Sequence, residues 1–196
     1  MIDYIHGELA ELNPTFAVIE TAGIGYYINI ALPTFTALSG STRAKLFVYE
    51  AIREDAHSLF GFIHPSERQL FLMLISVSGI GANTARMIMS SYGVAEIQQM
   101  IATSNAAALS AVKGIGPKTA QRIIVDLRDK VLKINLSDSS SSLAFSATGE
   151  TRDEAIQALV MLGFTAGISQ KVVDQILNQD PGMQVAQLIR TALKSM

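Results

Sequence analysis

The sequence predicts a multidomain protein, β first and α after: a small five-stranded barrel, a segment of short helices, and a compact three-helix bundle. Three observations carry this reading. Residues 1–63 hold five short runs rich in β-branched and aromatic residues, separated by turn residues. Residues 64–134 contain two copies of one helical pattern, offset by 35 positions. Residues 135–150 are Ser-rich, and helical periodicity returns after them.

In order along the chain, Met1–Leu12 alternates loosely, and Thr15–Thr21 and Tyr26–Leu32 flank Ala22-Gly23-Ile24-Gly25, a hairpin turn. Pro33–Leu38 reads as a short helix or turn before Gly40. Ala44–Ile52 and Ser58–Ile63 are two further strands, joined by a tip containing Arg53-Glu54-Asp55. Five short strands in so little chain fit a closed barrel of the oligonucleotide/oligosaccharide-binding (OB) kind. Pro65-Ser66-Glu67 opens a helix through Ser76, with Ser66 as its cap and Leu70, Phe71 and Leu74 at helical spacing. Short helices follow to about Leu132. Residues 135–150, with Ser-Asp-Ser-Ser-Ser-Ser, are expected to be a flexible linker. Thr151 opens a helix with Ala155, Ile156, Leu159 and Leu162 on one face, stopped at Gly163. Helices near Ile168–Leu177 and Gly182–Lys194 complete the bundle. The expected domains are therefore 1–63, 64–134 and 151–196, the last an interaction module on a tether.

Composition removes several function classes. With 49% hydrophobic and 16% charged residues among 196, the chain can bury a sizeable core, which excludes wholesale disorder. Cysteine is absent, so disulfides, thiolate metal sites, iron–sulfur ligation and Cys nucleophiles are excluded together. No apolar run reaches the roughly 18 residues of a membrane span, and Met-Ile-Asp-Tyr-Ile-His does not open a signal peptide. A soluble, cytoplasmic protein without a membrane partner is expected. The net charge of −2 argues against nucleic acid as a partner, but it is unevenly placed. Residues 1–63 carry −4, residues 64–134 carry +4 and residues 135–196 carry −2. A basic middle between acidic flanks is the pattern expected where one segment meets an anion.

The repeat lies in that basic middle. Leu74-Ile75-Ser76-Val77-Ser78-Gly79-Ile80-Gly81-Ala82-Asn83-Thr84-Ala85 aligns with Leu109-Ser110-Ala111-Val112-Lys113-Gly114-Ile115-Gly116-Pro117-Lys118-Thr119-Ala120, and Ile88 with Ile123. The shared frame is a helix, a tight Gly turn and a second helix. Glycines in the turn permit positive φ and let an anion approach the main chain. The next helix starts at once, so its free N–H groups and positive dipole end face the same space. Pro117 suits the first helical position, where its missing N–H costs nothing. Lys113, Lys118 and Arg122 add charge without reading bases. The candidate binding residues are therefore Gly79, Ile80, Gly81, Asn83 and Thr84 in the first copy. In the second they are Lys113, Gly114, Ile115, Gly116, Lys118, Thr119 and Arg122. An alternative stays open in which Gly81 and Gly116 serve only close helix packing.

This frame resembles the helix-hairpin-helix motif of DNA-repair and recombination proteins. With the barrel, the Arg53-Glu54-Asp55 tip, the following Leu59-Phe60-Gly61-Phe62 and the tethered bundle, the whole chain resembles the RuvA family of branch-migration subunits. The resemblance implies an OB-fold barrel with an acidic pin, a tandem helix-hairpin-helix domain and a small UBA-like bundle. It further implies a homotetramer, or an octamer on DNA, that holds a four-way (Holliday) junction open during recombination, repair and the SOS response. The C-terminal bundle would recruit the hexameric RuvB ATPase, and the RuvC resolvase would join some assemblies. This chain departs from the family in one place: Ala82-Asn83 stands where the first hairpin commonly has Pro-Lys, so that copy lacks the cation present at Lys118.

On the same resemblance, Glu54 and Asp55 of several subunits would converge at the junction centre and repel phosphates there; taken alone, they read as a solvated turn. In the bundle, Leu159, Leu162, Phe164 and Leu193 are core candidates first and partner-binding candidates second. His6, His57 and His64 lack metal-ligand spacing. Gly114–Thr119 is not a nucleotide P-loop, because Pro117 separates Gly116 from Lys118. No catalytic residue, metal or cofactor is expected. The rival is a helix-hairpin-helix glycosylase or lyase with Lys118 as nucleophile, which also wants a carboxylate about 20 residues onward. Asp138 has nearly that spacing but falls in the Ser-rich stretch, and the barrel and bundle would be unexplained.

Overall fold

A computed structural model describes the backbone of residues 1–140 and 147–195 and the side chains of residues 1–131 and 151–195. The chain divides into two compact units, Met1–Asn135 and Leu136–Met196. Among the described residues no helix is long and apolar enough to cross a membrane.

The first unit begins with the strands β1 (Tyr4–Asn13), β2 (Phe16–Thr21) and β3 (Ile24–Ile30), then helix α1 (Leu32–Leu38) and strands β4 (Arg43–Ile52) and β5 (His57–Phe62). They close into a barrel in the order β1-β2-β3-β5-β4, antiparallel except for the β3–β5 pair. The turn between β2 and β3 is tighter than the sequence suggests. Ala22 and Gly23 alone make it, with φ of 51° and 77°, so Ile24 and Gly25 already belong to β3. Two successive positive φ values give the primed turn whose twist matches that of a hairpin. Alternate residues of the strands fill the barrel, among them Ile5, Ile19, Ile28, Leu46, Val48 and Leu59.

Strand β5 is buried on both sides. Leu59 points into the barrel, whereas Phe60 and Phe62 belong to a second core shared with the helices. That core is entered by helix α2 (Pro65–Ile75), whose Phe71 ring lies 5.4 Å from Phe60, 4.9 Å from Phe62 and 5.4 Å from Tyr49. The N-terminus of α2 differs from the sequence reading. His64, not Ser66, is the N-cap, and Glu67 accepts hydrogen bonds from the Ile63 and His64 N–H groups at 2.8 and 3.2 Å. Pro65 fits the first helical position and shifts the cap earlier than a Ser-based reading allows. Two arginines of the basic segment tie the helices to the barrel. Arg68 pairs with Asp3 at 2.7 Å, and Arg86 donates to the Thr15 carbonyl at 2.8 Å.

Helices α3 (Ala82–Ser91), α4 (Val94–Ala102), α5 (Ala106–Ser110) and α6 (Pro117–Ser140) complete the unit. Helix α6 continues past residue 134, where the linker is expected to begin, and the next helix starts at Ala147. The linker expected over 135–150 is thus helical at both ends as far as it is described; residues 141–146 lie outside the described residues. The physical reason is the absence of a stop: no Gly or Pro occurs between Pro117 and Gly149.

The second unit packs α7 (Ala147–Met161), α8 (Ala166–Gln179) and α9 (Val185–Ser195) around Ala155, Ile156, Leu159, Val173, Ile176, Leu188 and Ala192. Arg152 of α7 holds Asp174 of α8 through two hydrogen bonds, of 2.5 and 3.0 Å. The guanidinium pulls the Asp174 carboxyl below its ordinary pKa.

Phe71 joins the barrel to the helices, so Phe71→Ala should cost the first unit about 3–5 kcal/mol, the usual range for a buried aromatic truncated to Ala. Urea unfolding followed by far-ultraviolet circular dichroism measures this; a loss below about 1 kcal/mol would mean the ring cluster does not join them.

Candidate nucleic-acid interface

The two copies of the repeat fold alike, residue for residue. Leu74, Val77 and Ile80 of the first are buried, as are Leu109, Val112 and Ile115 of the second. The Ile80 N–H donates to the Val77 carbonyl at 3.0 Å, and the Ile115 N–H to the Val112 carbonyl at 3.0 Å. Each isoleucine is a plug that pins a loop onto the core, so its side chain faces away from any external partner. Contact at Ile80 and Ile115 would therefore run through their main chains, as the sequence reading of the turn expects.

Glycine is required at one position in each loop. Gly79 has φ 93° and Gly114 has φ 91°, in the left-handed region that L side chains rarely adopt. For Gly81 and Gly116 the reason differs. A Cβ at either would meet nothing within 4 Å, so close helix packing does not explain them. Both face open space at the start of a helix.

Those helix starts are exposed donors. Gly81 is the N-cap of α3 and no side chain caps it; the first N–H to find an intrahelical acceptor is Ala85, on the Gly81 carbonyl at 2.9 Å. In α6 the corresponding bond runs from the Ala120 N–H to the Gly116 carbonyl, also at 2.9 Å. The N–H groups of Ala82, Asn83 and Thr84, and of Lys118 and Thr119, therefore precede the helical ladder and point outward. Each cluster brings several main-chain dipoles together, an arrangement that would stabilise an anion placed there.

Side-chain charge is unequal between the copies. Lys113, Lys118 and Arg122 are exposed around the second loop, with Arg122 in an i,i+4 contact to Asp126 at 3.7 Å. Thr84 and Thr119 are half-buried at matching places. The first loop has Asn83 but no cation of its own, and the nearby Arg86 is committed to the barrel.

The structure adds what the sequence could not place. The first loop and the base of the β4–β5 hairpin enclose a cleft of about 250 Å³. Arg53 and Ser58 of the hairpin and Gly81, Asn83 and Thr84 of the loop line it. No local signal marks Arg53 for this place, because its neighbours in space lie some thirty residues away along the chain. The hairpin is closed by a hydrogen bond from the Arg53 N–H to the Ala56 carbonyl at 2.8 Å, which leaves Glu54 and Asp55 exposed at its tip. At its base, Glu50 accepts from the Ile2 N–H and lies 3.3 Å from His57 Nε2, and these contacts lower the Glu50 pKa.

The bundle residues differ in exposure. Leu159 is fully buried, and Phe164 is half-buried against the bundle core. Leu162 and Leu193 are exposed, in company with Met161 and Ile168.

Comparison with known proteins covers the same three parts. A family model described as the RuvA N-terminal domain matches residues 1–61. A SAM-like helix-hairpin-helix tandem matches residues 71–129, and a RuvA C-terminal domain matches residues 150–196. A protein of Bacteroides thetaiotaomicron named Holliday junction branch migration complex subunit RuvA is 53% identical over 199 residues, 99% of each chain. Proteins of the same name from Parabacteroides distasonis and Christiangramia forsetii are 52% and 46% identical, over 99% and 100% of each chain. Barrel, paired hairpins and bundle match in chain order, and relatives align from end to end: the chain belongs to the RuvA family.

Proposed function

We propose that this chain is a non-catalytic DNA-binding subunit that holds a four-way junction open and presents it to an ATP-driven branch-migration motor in the cytoplasm. The observation that carries this reading is the pair of matching loops, each with an exposed helix start, beside a hairpin whose acidic tip is free of partners among the described residues. Main-chain donors grip phosphates of any sequence, which suits a substrate recognised by shape. The carboxylates exclude phosphates from one place, which favours a branched substrate over continuous duplex. The relatives' name supports a subunit of a Holliday-junction complex and gives no support to a glycosylase or lyase acting through Lys118.

Four copies arranged around the junction, or eight on the DNA, would bring the acidic tips together at its centre. The C-terminal bundle offers Leu162 and Leu193 as apolar surface for the RuvB motor, and RuvC would act on the junction so displayed. DNA-binding roles are assigned to the main chains at Gly79–Gly81 and Gly114–Gly116, and to Asn83, Thr84, Lys113, Lys118, Thr119 and Arg122.

Gly114→Val should abolish most junction binding while leaving the barrel folded, since valine resists a φ of 91° and the strain falls on the loop. Lys118→Ala should lower the slope of log affinity against log salt by about one unit for each phosphate the lysine neutralises, whereas Asn83→Ala should leave it nearly unchanged. Gel-shift titration of a four-way junction across salt measures both; equal slope changes would refute the asymmetry between the copies.

Replacing Glu54 by Gln and Asp55 by Asn keeps shape and removes two charges per subunit. Linear-duplex binding should then strengthen more than junction binding, by a margin that shrinks as salt screens the repulsion. Unchanged selectivity at low salt, in a variant of unchanged oligomeric state, would reduce the tip to a solvated turn.

Removing residues 141–196 leaves the first unit, with both loops and both of its cores, untouched. The shortened protein should bind junctions as the full chain does and fail to stimulate the motor's strand exchange. Full stimulation would move the motor's docking site into the first unit.

A further inference from the structure

The first loop poses a problem of charge. The second loop has Lys113, Lys118 and Arg122 around it; between Ser76 and Ala85 the first has no cation at all. Arg86, the next along α3, donates to the Thr15 carbonyl at 2.8 Å and approaches Asn29 Oδ1 at 3.5 Å, so its guanidinium faces the barrel. A phosphate at this loop would be met by main-chain dipoles and one amide side chain.

A barrel cation stands beside this loop. Arg53 lies at the base of the β4–β5 hairpin and lines the 250 Å³ cleft together with Ser58, Gly81, Asn83 and Thr84. Its side chain makes no ion pair or hydrogen bond among the described residues, although Glu54 and Asp55 follow it directly in sequence. Every polar side chain that lines the cleft can donate: a guanidinium, two hydroxyls and an amide. No carboxylate lines it. A cleft in which every polar side chain can donate, with one unneutralised cation and no carboxylate, suits an anion. Strand pairing through Ile52 and His57 and the Arg53 N–H bond to the Ala56 carbonyl fix where that cation sits.

We propose that Arg53 is the cation of the first hairpin, taking one phosphodiester group of the DNA backbone jointly with Asn83, Thr84 and the first N–H groups of α3. The two phosphate sites are then chemically equivalent but differently built. The second draws its charge from its own helix, and the first borrows it across the boundary between barrel and helices. One hairpin thus attracts a phosphate at Arg53 and repels the next position at Glu54 and Asp55, so it fixes the point at which a strand must turn away from the centre. This inference rests on the junction-binding reading above.

The test is a gel-shift titration of a four-way junction from about 50 to 200 mM salt with the full chain and the variants Arg53→Gln, Lys118→Ala and Arg53→Gln combined with Asn83→Lys. Arg53→Gln should weaken binding at low salt and lower the log–log slope by about 0.9 per phosphate neutralised, so its deficit shrinks about 3.5-fold per phosphate over that fourfold salt range. Asn83→Lys, added to it, should restore the slope, because it returns a cation to the same cleft; a merely structural role for Arg53 predicts no such rescue. Unchanged melting temperature and oligomeric mass of Arg53→Gln establish that the exposed substitution leaves the fold intact. A lowered slope without rescue would overturn the placement of the charge in this cleft. If Lys118→Ala flattens the slope and Arg53→Gln does not, the inference fails and the junction-binding reading stands. If neither does, the phosphate-binding reading of both hairpins fails with it.

Discussion

The two-sided burial of β5 is the constraint on which the rest of the first unit depends. Leu59 fills the barrel, and Phe60 and Phe62 turn outward onto Phe71 of α2, so one strand is a wall of two cores. Close packing of side chains on both faces leaves the strand no freedom to slide or tilt. The hairpin that joins β4 to β5 therefore stands in a fixed relation to α2 and to the loop that follows α2. Arg68 on Asp3 and Arg86 on Thr15 brace the same boundary from either side. A barrel merely tethered to its helices could not keep Arg53 and Asn83 on one cleft, because loose tethers set distances only on average.

The same bracing uses up part of the positive charge. The basic segment carries +4, but Arg68 is paired and Arg86 is held by carbonyl and amide oxygens of the barrel. What remains exposed near the loops is Lys113, Lys118 and a partly neutralised Arg122. On the proposed reading, recognition leans on main-chain N–H groups, whose dipoles need no formal charge and survive in a protein that is acidic overall. This is how a chain of net charge −2 and an anionic substrate are reconciled.

Much of the fold is legible in the residues. Five strands, the helical repeat and the final bundle all show in periodicity, and the repeat at an offset of 35 locates both loops on sequence alone. Three things are not legible, each for a physical reason. Ile80 and Ile115 sit in the motif, and a motif records which residues recur without recording which way they face. The end of α6 lies beyond where Ser-rich composition suggests a break, because a helix with no Gly or Pro ahead of it runs on. Arg53 stands out in the sequence only as a neighbour of Glu54 and Asp55, since its cleft is made by tertiary packing between segments distant along the chain.

The absence of a cation from the first hairpin can be set against this packing. Where a loop has a cation of its own, as at Lys118, its affinity for phosphate is a local property and tolerates changes elsewhere. Where the cation comes from another element, as proposed for Arg53, affinity would depend on the boundary between barrel and helices. Asn83 can then stand in the first loop without loss of charge at the site, provided that Phe60, Phe62 and Phe71 keep the hairpin in place. On the proposed reading, attraction at Arg53 and repulsion at Glu54 and Asp55 would together form an edge in the electrostatic field, sharp because both signs lie on consecutive residues. Such an edge would favour a strand that bends away beside the tip, which is a property of a branch point, not of a continuous duplex.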